Sequence, residues 1–215
     1  GSVSTQVAPA GFDIEIVVVD NSDDSSARAT VAACAAGCPF PLRFVEAHPP
    51  NISVARNAGV LASAGEAIAF LDDDDEFLPD HLANCIGACA DDAVGVFERL
   101  EWVRSGGVEP RPFSRDDLTP EAFFVGNPGV QGSNVFVRSD AIRAIGGFDE
   151  SLSNTTDRDL MIRLLRLAHA RGLEARALPS VGARYYDHDG PRVNTDLARK
   201  RVGLARFYAK YARDF

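Results

Sequence analysis

The strongest constraint on this chain is a short apolar run that ends abruptly in acid. Residues 68–71 are apolar, and four aspartates and a glutamate follow them at once. A short apolar run of this kind predicts a buried strand, so the acidic cluster lies just past its carboxyl end, where open α/β sheets bind ligands. Adjacent carboxylates repel one another unless water or a cation neutralises them, and Mg²⁺ or Mn²⁺ prefers such oxygen ligands. The pattern predicts a metal site, with an exposed acidic turn as the alternative.

Length and composition are typical of one globular domain. The chain has 215 residues, of which 46% are hydrophobic and 25% are charged. Its net charge of −9 argues against a nucleic-acid partner. No apolar run approaches the ~18 residues of a spanning helix, and Gly1-Ser2 resembles a cleavage scar rather than a signal peptide. We therefore expect a cytoplasmic protein, either free or at the inner face of the membrane.

Four cysteines form two pairs with the same spacing, Cys34/Cys38 and Cys85/Cys89. The two cysteines of each pair lie four residues apart in an Ala-rich, helix-like stretch, unlike the C-x₂-C knuckles of zinc ribbons. We expect these cysteines to be buried small apolar residues in a reducing compartment, not zinc ligands.

The first half of the chain alternates between predicted strands and helices, which is typical of a doubly wound α/β sheet. Val3-Ser4-Thr5 is predicted to be the tip of an additional strand. The other predicted strands cover residues 13–19, 42–45 and 68–71, and the predicted helices cover residues 23–37, 53–64 and 80–89.

The second half is less regular. Strands are predicted at residues 94–103, 135–137, 174–177 and 181–185, and helices at residues 140–145, 157–170 and 195–212. The last helix is basic and amphipathic. Its apolar face either packs on the core or lies on an anionic membrane surface as a peripheral contact.

Several stretches together resemble family 2 glycosyltransferases, which have the GT-A fold. They match the family in order and separation over residues 12–192. The stretches are Ile16-Val17-Val18-Val19-Asp20-Asn21-Ser22, Val54-Ala55-Arg56-Asn57-Ala58-Gly59, Phe70-Leu71-Asp72-Asp73-Asp74-Asp75, and Gly146-Gly147-Phe148-Asp149-Glu150 followed by Asp157-Arg158-Asp159-Leu160.

This resemblance implies one domain with a Rossmann-like, doubly wound mixed sheet of the GT-A type. Residues 1–92 would form the nucleotide-sugar-binding half, and residues 93–192 the acceptor and catalytic half. The C-terminal amphipathic helix would occupy residues 193–215. The family begins with a strand and a full helix, for which this chain has no room, so either residues are missing between about Thr5 and Gln6 or the nucleotide pocket is incomplete.

The resemblance also implies a donor site for a UDP, dTDP or GDP sugar. Asp20 matches the aspartate that accepts a hydrogen bond from the nucleobase, and an ionised carboxylate suits the imide or amide N–H of uracil, thymine or guanine. Its alternative role is a helix cap. Arg56 and Asn57 match a stretch that lines the donor site, where a guanidinium can fork onto phosphate. The alternative for Arg56 is a surface position on an amphipathic helix.

A divalent cation, Mg²⁺ or Mn²⁺, is implied by the Asp-x-Asp signature of Asp72 and Asp74. By this resemblance, Asp74 corresponds to the aspartate that binds the metal directly, and Asp72 to one that faces the ribose or the metal. Asp75 is adjacent and is a candidate to support the ligands. His188 matches a histidine that meets the metal or the diphosphate, with a solvated turn residue as the alternative.

Asp157 falls where the family places its catalytic base. Relatives have Glu-Asp at this point, whereas this chain has Thr156-Asp157. A helix N-terminus should favour the ionised form that a base requires, although Asp157 has a helix cap as its alternative role. Gly132, Ser133 and Asn134 resemble the segment that faces the transferred sugar, where glycine allows close approach.

The function that follows from the resemblance is metal-dependent, inverting transfer of a sugar to the hydroxyl of an unknown glycan, lipid or small molecule. A sugar-nucleotide nucleotidyltransferase is one alternative, but its Gly-rich phosphate loop with a basic residue is not visible after the first strand. A non-catalytic, receiver-like Mg²⁺-binding module is the other, and such a domain is usually shorter and leaves residues 130–192 unexplained.

Overall fold

The computed structural model describes residues 1–187 and 197–214. The strands are β1 (Ile16–Asp20), β2 (Leu42–Glu46), β3 (Ala67–Ala69), β4 (Glu76–Phe77), β5 (Ala93–Arg104), β6 (Gly107–Pro110), β7 (Val135–Arg138) and β8 (Glu174–Tyr186). The helices are α1 (Ala27–Ala35), α2 (Ile52–Ala62), α3 (His81–Ala88), α4 (Pro120–Val125), α5 (Ser139–Ala144), α6 (Thr156–Arg171) and α7 (Leu197–Lys210).

The strands pair in two groups. β1 and β2 form a parallel pair, whereas the larger sheet has the order β3-β7-β5-β8-β4, with β6 on β5. In the larger sheet β5 and β8 run parallel, and the other pairs are antiparallel. The predicted mixed α/β sheet is confirmed. Within the described residues no ladder of backbone hydrogen bonds joins the β1–β2 pair to β3 of the larger sheet.

The N-terminal prediction of a strand tip at Val3-Ser4-Thr5 is wrong. Ser2–Thr5 forms a single turn of 3₁₀-helix, and the backbone N–H of Phe77 donates to the Ser2 hydroxyl over 3.1 Å. The buried Gln6 side chain accepts a hydrogen bond from the N–H of Leu82 at 3.1 Å. These contacts dock the segment against β4 and α3, so its backbone does not join a sheet.

The two strands predicted at residues 174–177 and 181–185 are one strand, β8. It pairs with β5 along both parts, with shifts in register around Arg99. Pro179 has no N–H for the ladder, and the irregular register accommodates it without ending the strand.

The main hydrophobic core lies between α6, α7 and the larger sheet. Leu160, Met161 and Ile162 of α6 are completely buried. Phe207 of α7 and Tyr211 just after this helix are 0% and 3% exposed, so the apolar face of α7 packs on the core, the first of its two alternatives. Among the described residues, no helix is both long and apolar enough to cross a membrane.

The cysteines differ in burial. Cys85 is buried as predicted, but Cys34 is exposed and the other two are partly buried. The prediction is wrong for Cys34, which lies on a helix, α1, that contains no buried residue.

Candidate functional site

Helix α2 packs against the β1–β2 pair and positions Arg56 in the candidate site. Its start is fixed by Asn51, whose side chain accepts hydrogen bonds from the N–H groups of Ser53 and Val54 at 2.8 and 3.4 Å. Arg56 lies on the inner face of this helix and is 8% exposed. The surface alternative for Arg56 is therefore wrong.

The Arg56 guanidinium joins two of the predicted aspartates. Its Nη2 lies 2.8 and 3.2 Å from the two carboxylate oxygens of Asp72, and its Nη1 lies 2.8 Å from Oδ1 of Asp157. The Phe148 ring covers it, with 5.1 Å between the guanidinium carbon and the ring centroid. Residues predicted separately in α2, the acidic turn and α6 thus meet at one point.

Burial and charge act in opposite directions in this cluster. Burial tends to lower the pKa of Arg56, but Asp157 and then Asp72 outweigh it and raise that pKa. Burial raises the pKa of Asp157, with a further contribution from Asp72, against the favourable charge of Arg56. The expected lowering of the Asp157 pKa by the helix start is not found, because burial dominates.

Gly132 makes this arrangement sterically feasible. A Cβ atom at residue 132 would lie 2.1 Å from Nη2 of Arg56 and 3.0 Å from Oδ1 of Asp72. The close approach that we predicted toward a sugar is therefore made, in this structure, by the Arg56 side chain.

The acidic turn presents its aspartates in different ways. Asp74 is exposed and the Asp72 side chain is 32% exposed, whereas Asp75 is buried. Burial raises the pKa of Asp75 to about 6, although hydrogen bonds from Ser133 and Tyr186 oppose the rise. Asp72 and Asp74 are both accessible, as is Asp73 between them, and carboxylate oxygens at this turn fit Mg²⁺ or Mn²⁺ chemically. The prediction for His188 lies outside the described residues.

Asp20 ends β1 and caps the next turn. Its carboxylate accepts hydrogen bonds from the N–H and hydroxyl of Ser22 at 2.9 and 2.6 Å, and from the N–H of Ala27 at 3.1 Å. The hydrogen bond from the Ser22 hydroxyl is the largest of the effects that lower the pKa of Asp20. The capping alternative is thus observed in this structure. One of roughly four acceptor positions on the carboxylate is left.

Asn57 uses its amide to bind the loop before α6. Its Oδ1 accepts from the N–H of Phe148 at 2.8 Å, and its Nδ2 donates to the Phe148 carbonyl and to Glu150. A Cβ at Gly147 would lie 2.4 Å from Oδ1 of Asn57. Asn57 therefore fixes Phe148 over Arg56, a role that the sequence pattern did not predict.

Asn134 also turns toward the protein. It is completely buried, and its Nδ2 donates to the carbonyls of Glu98 and Gly129 at 2.7 and 3.0 Å. Its Oδ1 accepts from the N–H of Gln131 at 2.8 Å. The side chain stabilises the Gly132–Asn134 turn, so any contact with a sugar would come from another part of this segment.

A second cluster of metal-ligand types lies at His81, Cys85 and Glu98, all of them buried. Nδ1 of His81 is 2.7 Å from Oε2 of Glu98, a hydrogen-bond distance, whereas two ligands on a tetrahedral zinc lie about 3.3 Å apart. Burial and the nearby Glu98 raise the pKa of Cys85, which opposes the thiolate that a metal requires. The geometry fits a hydrogen-bonded pair between α3 and β5 better than a metal centre.

Solved structures with the GT-A fold resemble this chain along most of its length. TarS 1–349 of S. aureus, solved in complex with UDP-GlcNAc, gives a TM-score of 0.71 at 17% identity over 94% of this chain and 58% of the TarS chain. The mannosyltransferase PcManGT of Pyrobaculum calidifontis, in complex with GDP-Man and Mn²⁺, gives a TM-score of 0.66 at 20% identity. It covers 100% of this chain and 59% of the PcManGT chain. These likenesses confirm the predicted fold.

Sequence comparison gives the family. The succinoglycan biosynthesis protein ExoO of Rhizobium meliloti is 36% identical over 146 residues, which is 65% of this chain and 39% of ExoO. ExoM of the same organism is 34% identical over 85 residues, 40% of this chain and 28% of ExoM. The chain thus spans less than two fifths of these relatives. Residues 2–146 match the family described as Glycosyl transferase family 2, so the chain belongs to glycosyl transferase family 2.

Proposed function

We propose that this protein is a metal-dependent, inverting glycosyltransferase. The observation that carries the proposal is the meeting of Arg56, Asp72 and Asp157, which joins a donor-side helix, the acidic turn and a candidate base. The complexes of TarS with UDP-GlcNAc and of PcManGT with GDP-Man support a nucleotide-diphosphate sugar as donor. The proposed nucleotide is UDP, dTDP or GDP.

In this proposal the donor binds between β1 and the acidic turn. Asp20 accepts the N–H of the nucleobase at its remaining acceptor position. The Arg56 guanidinium binds the diphosphate, which replaces either Asp72 or Asp157 as one of its two anionic partners. Asp72 and Asp74 hold the divalent cation, which supplies electrostatic stabilisation of the negative charge on the leaving nucleotide diphosphate.

Asp157 acts as the general base. Within the described residues only its Oδ1 has a hydrogen-bond partner, which leaves Oδ2 for the acceptor hydroxyl. The acceptor oxygen bonds to the anomeric carbon while the bond from that carbon to the diphosphate breaks, and Asp157 takes the hydroxyl proton. A single displacement of this kind inverts the anomeric configuration. The acceptor is a hydroxyl of a glycan, a lipid or a small molecule.

The test is incubation of the protein with UDP, dTDP and GDP sugars and Mn²⁺. We expect slow release of the nucleotide diphosphate, faster with a suitable acceptor, and an inverted anomeric configuration in the product by NMR. Pyrophosphate release from a nucleoside triphosphate and a sugar 1-phosphate would favour the nucleotidyltransferase instead. Mg²⁺ binding without turnover of any donor would favour the non-catalytic module.

A further inference from the structure

Asp75 is the buried member of the acidic turn, and both of its carboxylate oxygens bind protein groups. It is 7% exposed, whereas Asp73 and Asp74 beside it are exposed. Its Oδ2 accepts from the Ser133 hydroxyl at 2.5 Å, and its Oδ1 accepts from the N–H of Tyr186 at 3.1 Å. These bonds join the turn to the Gly132–Asn134 segment and to the end of β8.

Ser133 links Asp75 to Asp72 through hydrogen bonds. The Ser133 oxygen accepts a hydrogen bond from the backbone N–H of Asp72 at 3.1 Å while its proton is donated to Asp75. An ionised carboxylate can only accept, so Asp75 fixes the direction of the Ser133 hydroxyl proton and leaves the lone pairs of that oxygen for the N–H of Asp72. An asparagine at residue 75 has only one acceptor atom for the two donors that Asp75 binds, so its N–H would face either the Ser133 hydroxyl or the N–H of Tyr186.

We infer that Asp75 is a positioning residue, which acts through Ser133 to hold Asp72 where it can serve the donor and the cation. In this role it is distinct from the proposed ligands Asp72 and Asp74, because it is buried and each of its oxygens already accepts a hydrogen bond from a protein group, the N–H of Tyr186 or the hydroxyl of Ser133. The inference deepens the proposed function and rests on it. Groups that orient metal ligands in this way commonly alter metal affinity ~10–100-fold when they are removed.

The experiment compares Asp75→Asn and Ser133→Ala with Asp73→Asn. The control removes one charge from the same turn at an exposed position outside the hydrogen-bonded chain. Calorimetry measures UDP and GDP affinity with Mn²⁺ and again in EDTA, and thermal melting confirms that each variant is folded at the temperature used. Ser133→Ala serves as the second variant, because it removes the link to Asp72 and leaves the carboxylate in place.

We expect Asp75→Asn and Ser133→Ala to weaken the Mn²⁺-dependent nucleotide affinity at least ~10-fold. Their affinity in EDTA should stay close to that of the parent, and Asp73→Asn should change either affinity less than ~3-fold. General loosening of the fold would reduce both affinities together.

Three results would overturn the inference while the proposed function stands. They are parental affinity in both variants, an equal loss with Mn²⁺ and in EDTA, and an equal loss in Asp73→Asn. A parent protein whose nucleotide affinity does not depend on Mn²⁺ would overturn the proposed metal site itself, and the inference with it.

Discussion

Asp157 has one oxygen paired with Arg56 and lies at the start of α6. Replacing it with asparagine keeps the shape and removes the basicity. We therefore predict that Asp157→Asn binds nucleotide and metal nearly as the parent does and transfers sugar at least ~100-fold more slowly. Single-turnover kinetics and calorimetry separate the two effects.

Asp140→Asn is the matched control for that variant, because Asp140 is an exposed aspartate in the first turn of α5. Asp159 is unsuitable, since it is completely buried and bonded to Arg163 and Tyr211. Transfer at the parental rate by Asp157→Asn would move the search for the base to Asp187.

Asp74 is an exposed carboxylate in the acidic turn. We predict that Asp74→Ala weakens UDP or GDP binding in the presence of Mn²⁺ at least ~10-fold, because a proposed ligand of the cation is lost. Calorimetry with Mn²⁺ and with EDTA measures the effect, and Asp80→Ala, an exposed aspartate just before α3, is the control. Equal nucleotide affinity of the parent in Mn²⁺ and in EDTA would contradict the prediction.

The sequence motifs predict which residues belong to the candidate site, but not how their side chains contact one another. The patterns identified Arg56, Asp72 and Asp157, but not their contacts, because Asp157 lies 101 positions from Arg56 and local patterns carry no information on such pairs. Asn57, which the pattern predicts to line the donor site, binds the backbone of Phe148, a contact that the pattern does not indicate. Near a site, sequence alone does not separate a side chain that binds ligand from one that shapes the loop around it.

At the scale of elements, long periodic segments were predictable and short ones were not. α2 and α6 lie within about two residues of their predicted bounds. β4 has two residues and exists only because β8 pairs with it, and α4 has six residues in a stretch with no clear periodicity. β8 was predicted as two strands because Pro179 interrupts the pattern, whereas the pairing with β5 continues past it.

Helix α7 is held to the loop before α6 by Lys210. Its Nζ lies 2.6 Å from Oδ2 of Asp149 and 2.6 Å from Oδ1 of Asp159. Burial alone would raise the pKa of Asp149, but hydrogen bonds from Lys210 and Ser151 lower it to about 2. Because this pKa lies below its ordinary value of 3.8, ionised Asp149 stabilises the fold above about pH 4, and this contribution is lost as the pH falls toward 2.

We predict that Asp149→Asn lowers the free energy of unfolding by about 2 kcal/mol at pH 7 and by roughly half as much at pH 3. Urea unfolding of parent and variant at the two pH values measures the difference. Asp116→Asn, at an exposed position in a short 3₁₀-turn, should show no such trend. A difference that stays constant between pH 7 and pH 3 would contradict the assignment of the stabilisation to an ionised Asp149.

At the scale of the whole molecule, the His81–Glu98 pair joins α3 to β5 directly beneath β8. Asn84 donates to the other oxygen of Glu98 at 3.0 Å, and the hydroxyl of Ser180 does so as well. A Cβ at Gly182 would lie 2.3 Å from Oε2 of Glu98 and 2.4 Å from Nδ1 of His81. A side chain at residue 182 would thus push apart three elements at once.

We predict that Gly182→Ala lowers the free energy of unfolding by about 1–3 kcal/mol, because the added methyl group overpacks a buried network. Gly87→Ala is the control, since a Cβ at this helical position would meet no atom within 4 Å apart from its chain neighbours and the backbone of its own helix. It should be neutral or raise stability by up to about 1 kcal/mol through helix propensity. Chemical denaturation measures both, and equal stability of Gly182→Ala and the parent would contradict the prediction.

Asp72 and Asp157 both neutralise the guanidinium of Arg56, so either carboxylate can compensate in part for loss of the other. When either Asp72 or Asp157 becomes asparagine, Arg56 keeps one counter-ion, but the double variant leaves a buried cation with none. We predict that the double variant loses about 0.5–3 kcal/mol more unfolding free energy than the two single variants together, and a double-mutant cycle measures this excess. If the effects of the two single variants simply add, one remaining carboxylate does not compensate for loss of the other at the Arg56 guanidinium. Each aspartate can neutralise Arg56 when the other is lost, so single substitutions understate how far the fold depends on this cluster of the candidate site.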